Sequence, residues 1–180
     1  MKTVESYRVK IEGIAPLLQH RFAGGDELPP ESIMVAGSRD FKEEWESSLY
    51  RMEDGTIYQP SDHLENSLVK AAGNFQITGK GKKTYKDLIK SAIVIDPLYI
   101  PHLIPKYEID KRAVRIKTSR VVRQRPIFHK WALEFTLTII EPQLPSNVVK
   151  EIMDYAGRFV GIGDYRPKFG RFHVVLWEKI

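Results

Sequence analysis

From Trp131 to Ile140 the chain alternates, with Trp131, Leu133, Phe135, Leu137 and Ile139 standing against Ala132, Glu134, Thr136, Thr138 and Ile140. A period of two over this length dictates a strand with one face in a core and the other turned away from it. A helix would spread the five large side chains around its whole circumference. The chain must therefore build a sheet with this segment at its centre and cover one face of it. Tyr7, Val9 and Ile11 against Arg8, Lys10 and Glu12 repeat the pattern near the start, ended by Gly13 and Pro16. Phe172, Val174 and Leu176 on one side, with Arg171, His173, Val175 and Trp177 on the other, repeat it at the end. The apolar run Leu88 to Ile95, closed by Asp96-Pro97, predicts a further, buried strand.

Two helices supply the cover. Pro60-Ser61-Asp62 opens one, with Ser61 as N-cap, Asp62 and Glu65 in the first turn, and Leu64, Leu68, Ala71, Ala72 and Phe75 on one face. Pro145-Ser146-Asn147 opens the other, with Val149, Ile152, Met153, Ala156, Phe159 and Val160 as its buried face. Stripped of insertions the order is βαββαβ. That predicts an α+β fold, a ferredoxin-like or RRM-like antiparallel sheet with two helices on one face and the other face left for a ligand.

At 180 residues one domain, 1–180, is expected, large enough for its own core. Residues 26–59 form an acidic insertion. It holds a short amphipathic helix between Asp40 and Arg51 with Phe41, Trp45 and Leu49 as its stripe. Leu49 to Met52 either ends that helix or pairs with Ile57 to Gln59 around the turn Glu53-Asp54-Gly55-Thr56. Residues 106–130 form a second insertion, a basic β-hairpin. There Val114, Ile116, Val121 and Val122 sit among Arg112, Arg115, Lys117, Arg120, Arg123 and Arg125, with Thr118-Ser119 at the turn. Ile100 to Pro105 is too rich in proline for a central strand and reads as edge or loop.

The formal net charge is only +5, but it is unevenly spread. Asp26 to Glu65 carries eleven acidic residues against Arg39, Lys42 and Arg51, a net −8, and would repel nucleic acid. Lys106 to Lys130 carries nine Lys and Arg against Glu108 and Asp110, a net +7. The glycine-lysine loop Gly79-Lys80-Gly81-Lys82-Lys83 adds a second basic block, and its spacing does not make a Walker A loop. Such polarity serves a nucleic-acid ligand, a solvated surface, or an acidic-to-basic contact between copies of the chain, which would build a ring or filament. The absence of cysteine excludes disulfides, thiolate metal sites and cysteine nucleophiles. Neither a signal-peptide run nor 18 consecutive apolar residues occurs, so a cytoplasmic, soluble protein with no membrane partner is expected.

Chemistry concentrates in Gly161-Ile162-Gly163-Asp164-Tyr165-Arg166-Pro167-Lys168-Phe169-Gly170-Arg171-Phe172, between the second helix and the last strand. Glycines there can bring bare backbone N–H groups, cations and rings up to a phosphate-bearing ligand. The same glycines also suit a tight connection in which they only supply positive φ and the rings only pack. No metal site or cofactor is expected: His63 and Glu65 diverge on their helix, and His102 stands among prolines.

Three of these features together resemble the RAMP superfamily, the RRM-like RNA-binding backbone subunits of CRISPR surveillance complexes. They are the Gln59-Pro60-Ser61-Asp62-His63-Leu64 helix start, the mid-chain basic hairpin, and the loop of Gly161, Gly163 and Gly170. The ending Arg166-Pro167-Lys168-Phe169-Gly170-Arg171-Phe172 is also similar to that of small uncharacterised phage and prophage proteins. The resemblance implies an RRM-like fold that binds nucleic acid. For some members it implies metal-independent RNA cleavage by a histidine, for which His20 and His129 are the candidates here.

The residues themselves point to binding single strands or RNA through backbone and stacked bases with little base readout, and the resemblance implies RNA in preference to DNA. Lys80, Lys82, Lys83, Arg115, Lys117, Arg120, Arg123 and Arg125 would supply charge. In the loop, Gly161, Gly163 and Gly170 would allow close approach, Tyr165 and Phe169 would stack, and Arg166, Lys168 and Arg171 would hold phosphate. The alternatives are the endoribonuclease and a self-assembling structural protein.

Overall fold

The computed structural model describes residues 4–21, 41–116 and 119–180, with the side chains of 41–44 and 114–121 outside that description. The fold is α+β. Strand β1 (Glu5–Gly13) leads into the two-residue β2 (Leu17–Leu18), followed by helix α1 (Phe41–Ser48), β3 (Tyr58–Pro60) and α2 (Ser61–Ala72). Then come α3 (Lys86–Ala92), β4 (Ile93–Asp96), β5 (Tyr99–Pro101), β6 (Glu108–Ile116), β7 (Ser119–Phe128) and β8 (Ala132–Ile139). Helix α4 (Ser146–Tyr155) continues into a π-turn at Ala156–Val160, and β9 (Phe172–Lys179) ends the chain.

The main sheet has the order β4-β8-β1-β9, each neighbouring pair antiparallel. The alternating segment β8 lies inside it with Leu133, Phe135, Leu137 and Ile139 buried, opposite Ile11, Val9, Tyr7 and Glu5 of β1. Helices α2 and α4 lay Leu64, Leu68, Ala71, Ala72, Val149, Ile152 and Met153 on that face, and together they form one core. At about 25 cal/mol per Å² of apolar surface removed from water, these fully buried aliphatic side chains are what holds helices to sheet. On the opposite face the charges neutralise one another. Arg8 pairs with Glu178 at 2.7 Å, Lys10 with Glu12 at 3.2 Å, and Ser6 shares a hydrogen bond with Thr138. No Phe, Tyr or Trp of the described strands stands there, so this face offers no stacking platform.

Two smaller sheets attach at the edge. The hairpin β6–β7 is joined to the body through β2, where Leu17 pairs with Phe128 and Leu18 with Ile127. Strands β3 and β5 pair with Gln59 opposite Ile100, both buried. Helix α1 and the turn after it both form: the helix ends at Ser48, and Arg51 bridges to Ile57 around Asp54-Gly55.

Four expectations are corrected. Leu88 to Ala92 is helical, and the strand begins only at Ile93, because Ile89 and Ala92 at helical spacing are the pair that reaches the core. Ser61 is the first helical residue of α2, buried at 1%, and Pro60 holds the cap position with no side-chain hydrogen bond. Phe159 is 58% exposed, because the π-turn adds a residue to the last turn of α4 and rotates that side chain outward. A bulge opposite Lys10 and Ile11 puts Trp177 beside Val9 on the core face and Leu176 opposite Lys10, reversing the two.

Candidate nucleic-acid interface

The glycine loop is closed by its own backbone. Gly161, Gly163 and Gly170 have φ of 74°, 76° and 73°, the left-handed region that glycine enters without penalty. A Cβ at Gly170 would lie 1.7 Å from the Ile162 carbonyl oxygen, and one at Gly163 2.5 Å from the Leu18 carbonyl oxygen. The close approach these glycines allow is therefore to protein backbone. Ile162 N–H donates to Gly170 O, Asp164 N–H to Leu18 O, and Gly170 N–H to Pro16 O at 2.8 Å. Gly161 N–H donates to Ala156 O, closing the π-turn, and the Ser67 hydroxyl donates to Gly161 O. A loop so anchored holds whatever it displays in a fixed place.

What it displays is the run 165–168, all four residues exposed. Tyr165 has φ of 57° and, among the described residues, is the only non-glycine at positive φ. That conformation costs about 1 kcal/mol, and the ring stays 49% exposed while resting edge-on against Phe169, 5.8 Å between centroids. Strain carried by an exposed ring is the kind of outlier that marks a functional position. Arg166 and Lys168 stand with it. Phe169, the ring that Tyr165 meets, is buried at 7% against Leu18 and Ile127.

The hairpin locks onto this loop through two arginines. Arg112 of β6 is gripped by Asp110, its Nε and Nη2 donating to the two carboxylate oxygens at 2.5 and 2.6 Å. That hydrogen bonding raises the Arg112 pKa further. Its guanidinium lies 4.6 Å from the Phe169 ring centroid and 5.8 Å from that of Tyr165, cation–π contacts of about 0.5–1 kcal/mol each. Arg125 of β7, only 5% exposed, forms an ion pair with Asp164. The base of the basic arm and the glycine loop are thus one structure.

Of the residues proposed from sequence, Tyr165, Arg166, Lys168, Phe169 and Arg125 converge here, with Phe169 and Arg125 beneath the surface. Arg171 is half-buried at the loop's end, its carbonyl accepting from Ile14 and Ala15 N–H. Arg123 is partly buried on β7, and the side chains of Arg115, Lys117 and Arg120 lie outside the described residues, as do residues 26–40 of the acidic insertion. Lys80, Lys82 and Lys83 are exposed in the turn beyond the C-terminal end of α2. The loop's Arg166 lies within electrostatic reach of His63 in that helix's first turn. A helix of this length spans ~18 Å, so the lysines form a separate patch. His129 faces Glu108 at 3.3 Å with both exposed, and His20 approaches the Ser48 hydroxyl at 3.5 Å. Among the described residues no cluster of His, Asp and Glu has the makings of a metal site.

Sequence reasoning missed Arg112 and a polar knot beneath β3. Gln19, Gln59 and His102 are buried, with Gln19 Nε2 donating to Tyr58 O at 2.9 Å and to Gln59 Oε1 at 3.0 Å. Gln19 Nε2 also lies 3.3 Å from His102 Nε2, and Gln19 Oε1 accepts from Tyr50 N–H. Burial lowers His102 to about 4, so its ring is neutral near pH 7. Gln59 hydrogen-bonds His63 in turn, whose pKa is lowered first by burial and then by the charge of Arg166. The alternation Asp110-x-Arg112 on one strand face was the readable signal for the first; nothing local announced the second.

No family model matches the chain, and no curated protein does. Among solved structures it is similar to a chain of the type III-B Cmr-beta complex bound to cognate target RNA, determined by cryo-EM. The TM-score is 0.58 at 11% identity, with 98% of this chain and 61% of that chain covered. The likeness is one of fold, and this chain spans less than two thirds of its neighbour's length. Among the described residues, no helix is long and apolar enough to cross a membrane.

Proposed function

We propose that this protein binds single-stranded nucleic acid, RNA in preference to DNA, by neutralising phosphates and stacking bases with little base readout. One observation carries the reading: the anchored loop presents strained, exposed Tyr165 beside Arg166 and Lys168 while Arg112 and Arg125 fasten it to the basic hairpin. A ring beside cations on a rigid support is what single-strand binding requires. The RNA-bound neighbour of similar fold supports the choice of RNA, and the strand order β9-β1-β8-β4 supports the ferredoxin-like, RAMP-type reading. Lys80, Lys82 and Lys83 would extend the backbone track as a second, separate contact. A cytoplasmic CRISPR-type or phage-encoded assembly, with contacts between copies, is the setting such a subunit suits. Among the described residues, the contacts of His20 with Ser48 and of His129 with Glu108 do not favour the endoribonuclease reading.

The test is an anisotropy titration of labelled single-stranded RNA and DNA at about 50 and about 200 mM salt. RNA should bind, and Arg166→Ala should weaken binding while reducing the slope of log affinity against log salt by about 0.7, the value for one phosphate on a single strand. Absence of binding at the lower salt overturns the proposal, and an unchanged slope returns Arg166 to a structural role.

A further inference from the structure

Beside the glycine loop lies an aromatic row that the reading above leaves unused. The bridge between Arg51 and Ile57, with Tyr58 N–H donating to Tyr50 O, sets Tyr50 across from Tyr58, their ring centroids 5.6 Å apart. In the β3–β5 pair, Gln59 and Ile100 point inward, so Tyr58 and Tyr99 share the outer face on a diagonal, 4.6 Å between centroids. His63 in the first turn of α2 meets Tyr50 edge-on at 5.5 Å. Tyr99 is 53% exposed and its neighbour Leu98 65%, so the row opens to solvent at that end.

The row sits among charges of both signs, with Asp62 and Asp164 acting on Tyr50 as well as the cations. The charge of Arg21 acts on both Tyr50 and Tyr58, and that of Arg166 on His63. Burial is the main cause that raises the pKa of Tyr50 and of Tyr58 above the ordinary tyrosine value, at which the phenol is already a hydrogen-bond donor near neutral pH. Arg166 follows Tyr165 in the chain and its charge acts on His63, so the Tyr165 platform and the tyrosine row share one electrostatic neighbourhood. Rings interleaved with arginines fit a nucleic-acid strand better than an uncharged apolar partner, because each base brings a phosphate with it.

We infer that Tyr50, Tyr58 and Tyr99 form a second stacking surface, which takes unpaired nucleobases further along the strand whose phosphate is held at Arg166. The inference rests on the RNA-binding reading and extends the track from the loop across β3 and β5. It is tested with an oligoribonucleotide of about eight nucleotides carrying 2-aminopurine, whose fluorescence is quenched when the base stacks on a ring. Wild-type protein should quench the probe. Tyr99→Ala should relieve the quench and weaken binding about tenfold, with the salt slope unchanged, and Tyr99→Phe should restore both. Tyr58→Ala serves as the second variant, with a thermal melt to verify folding. If wild type binds and both alanine variants bind and quench as it does, the row is not an RNA surface while the loop reading stands. If wild type does not bind at the lower salt, both fall.

Discussion

Two loops of this protein read alike in the sequence and behave differently in the fold. Gly161 to Gly170 and Gly79 to Lys83 both combine glycines with cations, and all five of their glycines sit at positive φ. At Gly161, Gly163 and Gly170 an added Cβ would meet other atoms of the chain at 3.0 Å or closer. At Gly79 and Gly81 it would meet nothing within 4 Å. The first loop is pressed between Pro16, Leu18 and Ile162, and the second stands clear of the body on a turn closed by Lys80 N–H to Ile77 O. A glycine near a lysine is thus no measure of a binding site. What separates the two is whether backbone packing fixes the exposed side chains, and only the first loop presents Tyr165 and Arg166 at a defined place.

The largest test of that difference is Gly170→Ala. Its Cβ would fall 1.7 Å from one backbone atom of Ile162 and 2.8 Å from another, neither of which can rotate away. Overpacking added to the left-handed backbone should cost about 4 kcal/mol or more, which lowers Tm by about 10 °C in a chain of this size. The Ile162 N–H to Gly170 O bond joins the two ends of the loop, so RNA affinity should fall with it. A melt within about 2 °C of wild type would mean that the loop yields, and the contrast between the two loops would dissolve.

A smaller effect is expected from Asp164→Asn. Arg125 is 6% exposed at its side chain and Asp164 34%, so the substitution leaves a buried guanidinium facing a neutral amide. Breaking fully buried pairs costs about 3–5 kcal/mol. Solvent at Asp164 reduces this to about 2 kcal/mol, read as a lower midpoint in urea at unchanged slope. Because Arg125 belongs to β7, the loss should also loosen the hairpin from the loop. Hydrogen exchange of β7 should therefore quicken near Arg125, and a midpoint shift without that change would place the strain in the loop alone.

The parts of the fold legible in the sequence are those where one local period decides. Leu133 to Ile139 and Leu64 to Ala72 each bury the predicted face, since nothing interrupts either repeat. Where a single residue breaks the period, the reading inverts downstream: the bulge opposite Lys10 and Ile11 reverses Leu176 and Trp177, and the π-turn expels Phe159. Leu88 to Ile95 failed for a different reason, because a run that short is compatible with helix and strand alike. The site was half legible. Arg166 and Lys168 announce themselves by type, but the grip of Arg112 on Phe169 and the burial of Arg125 depend on where the hairpin docks. The tyrosine row had a local sign, since Tyr50 and Tyr58 flank a turn symmetrically, yet rings beside a turn gain meaning only when the charge of Arg21 acts on them and that of Arg166 on the neighbouring His63.

The smallest effect completes the comparison. Gly79→Ala places a Cβ in open space at φ of 76°, so the whole penalty is the left-handed backbone, about 1 kcal/mol. Tm should drop by about 3 °C, and Gly79→Asn should cost less still, because asparagine tolerates that region. RNA affinity should not follow, since the neighbouring lysines act through charge and a turn on the surface need not hold them rigidly. A loss near that of Gly170→Ala would show that the lysine turn packs on something the isolated fold does not supply. The natural candidate is then another copy of the chain, and the loss should deepen with protein concentration, because a contact between copies adds stability by mass action.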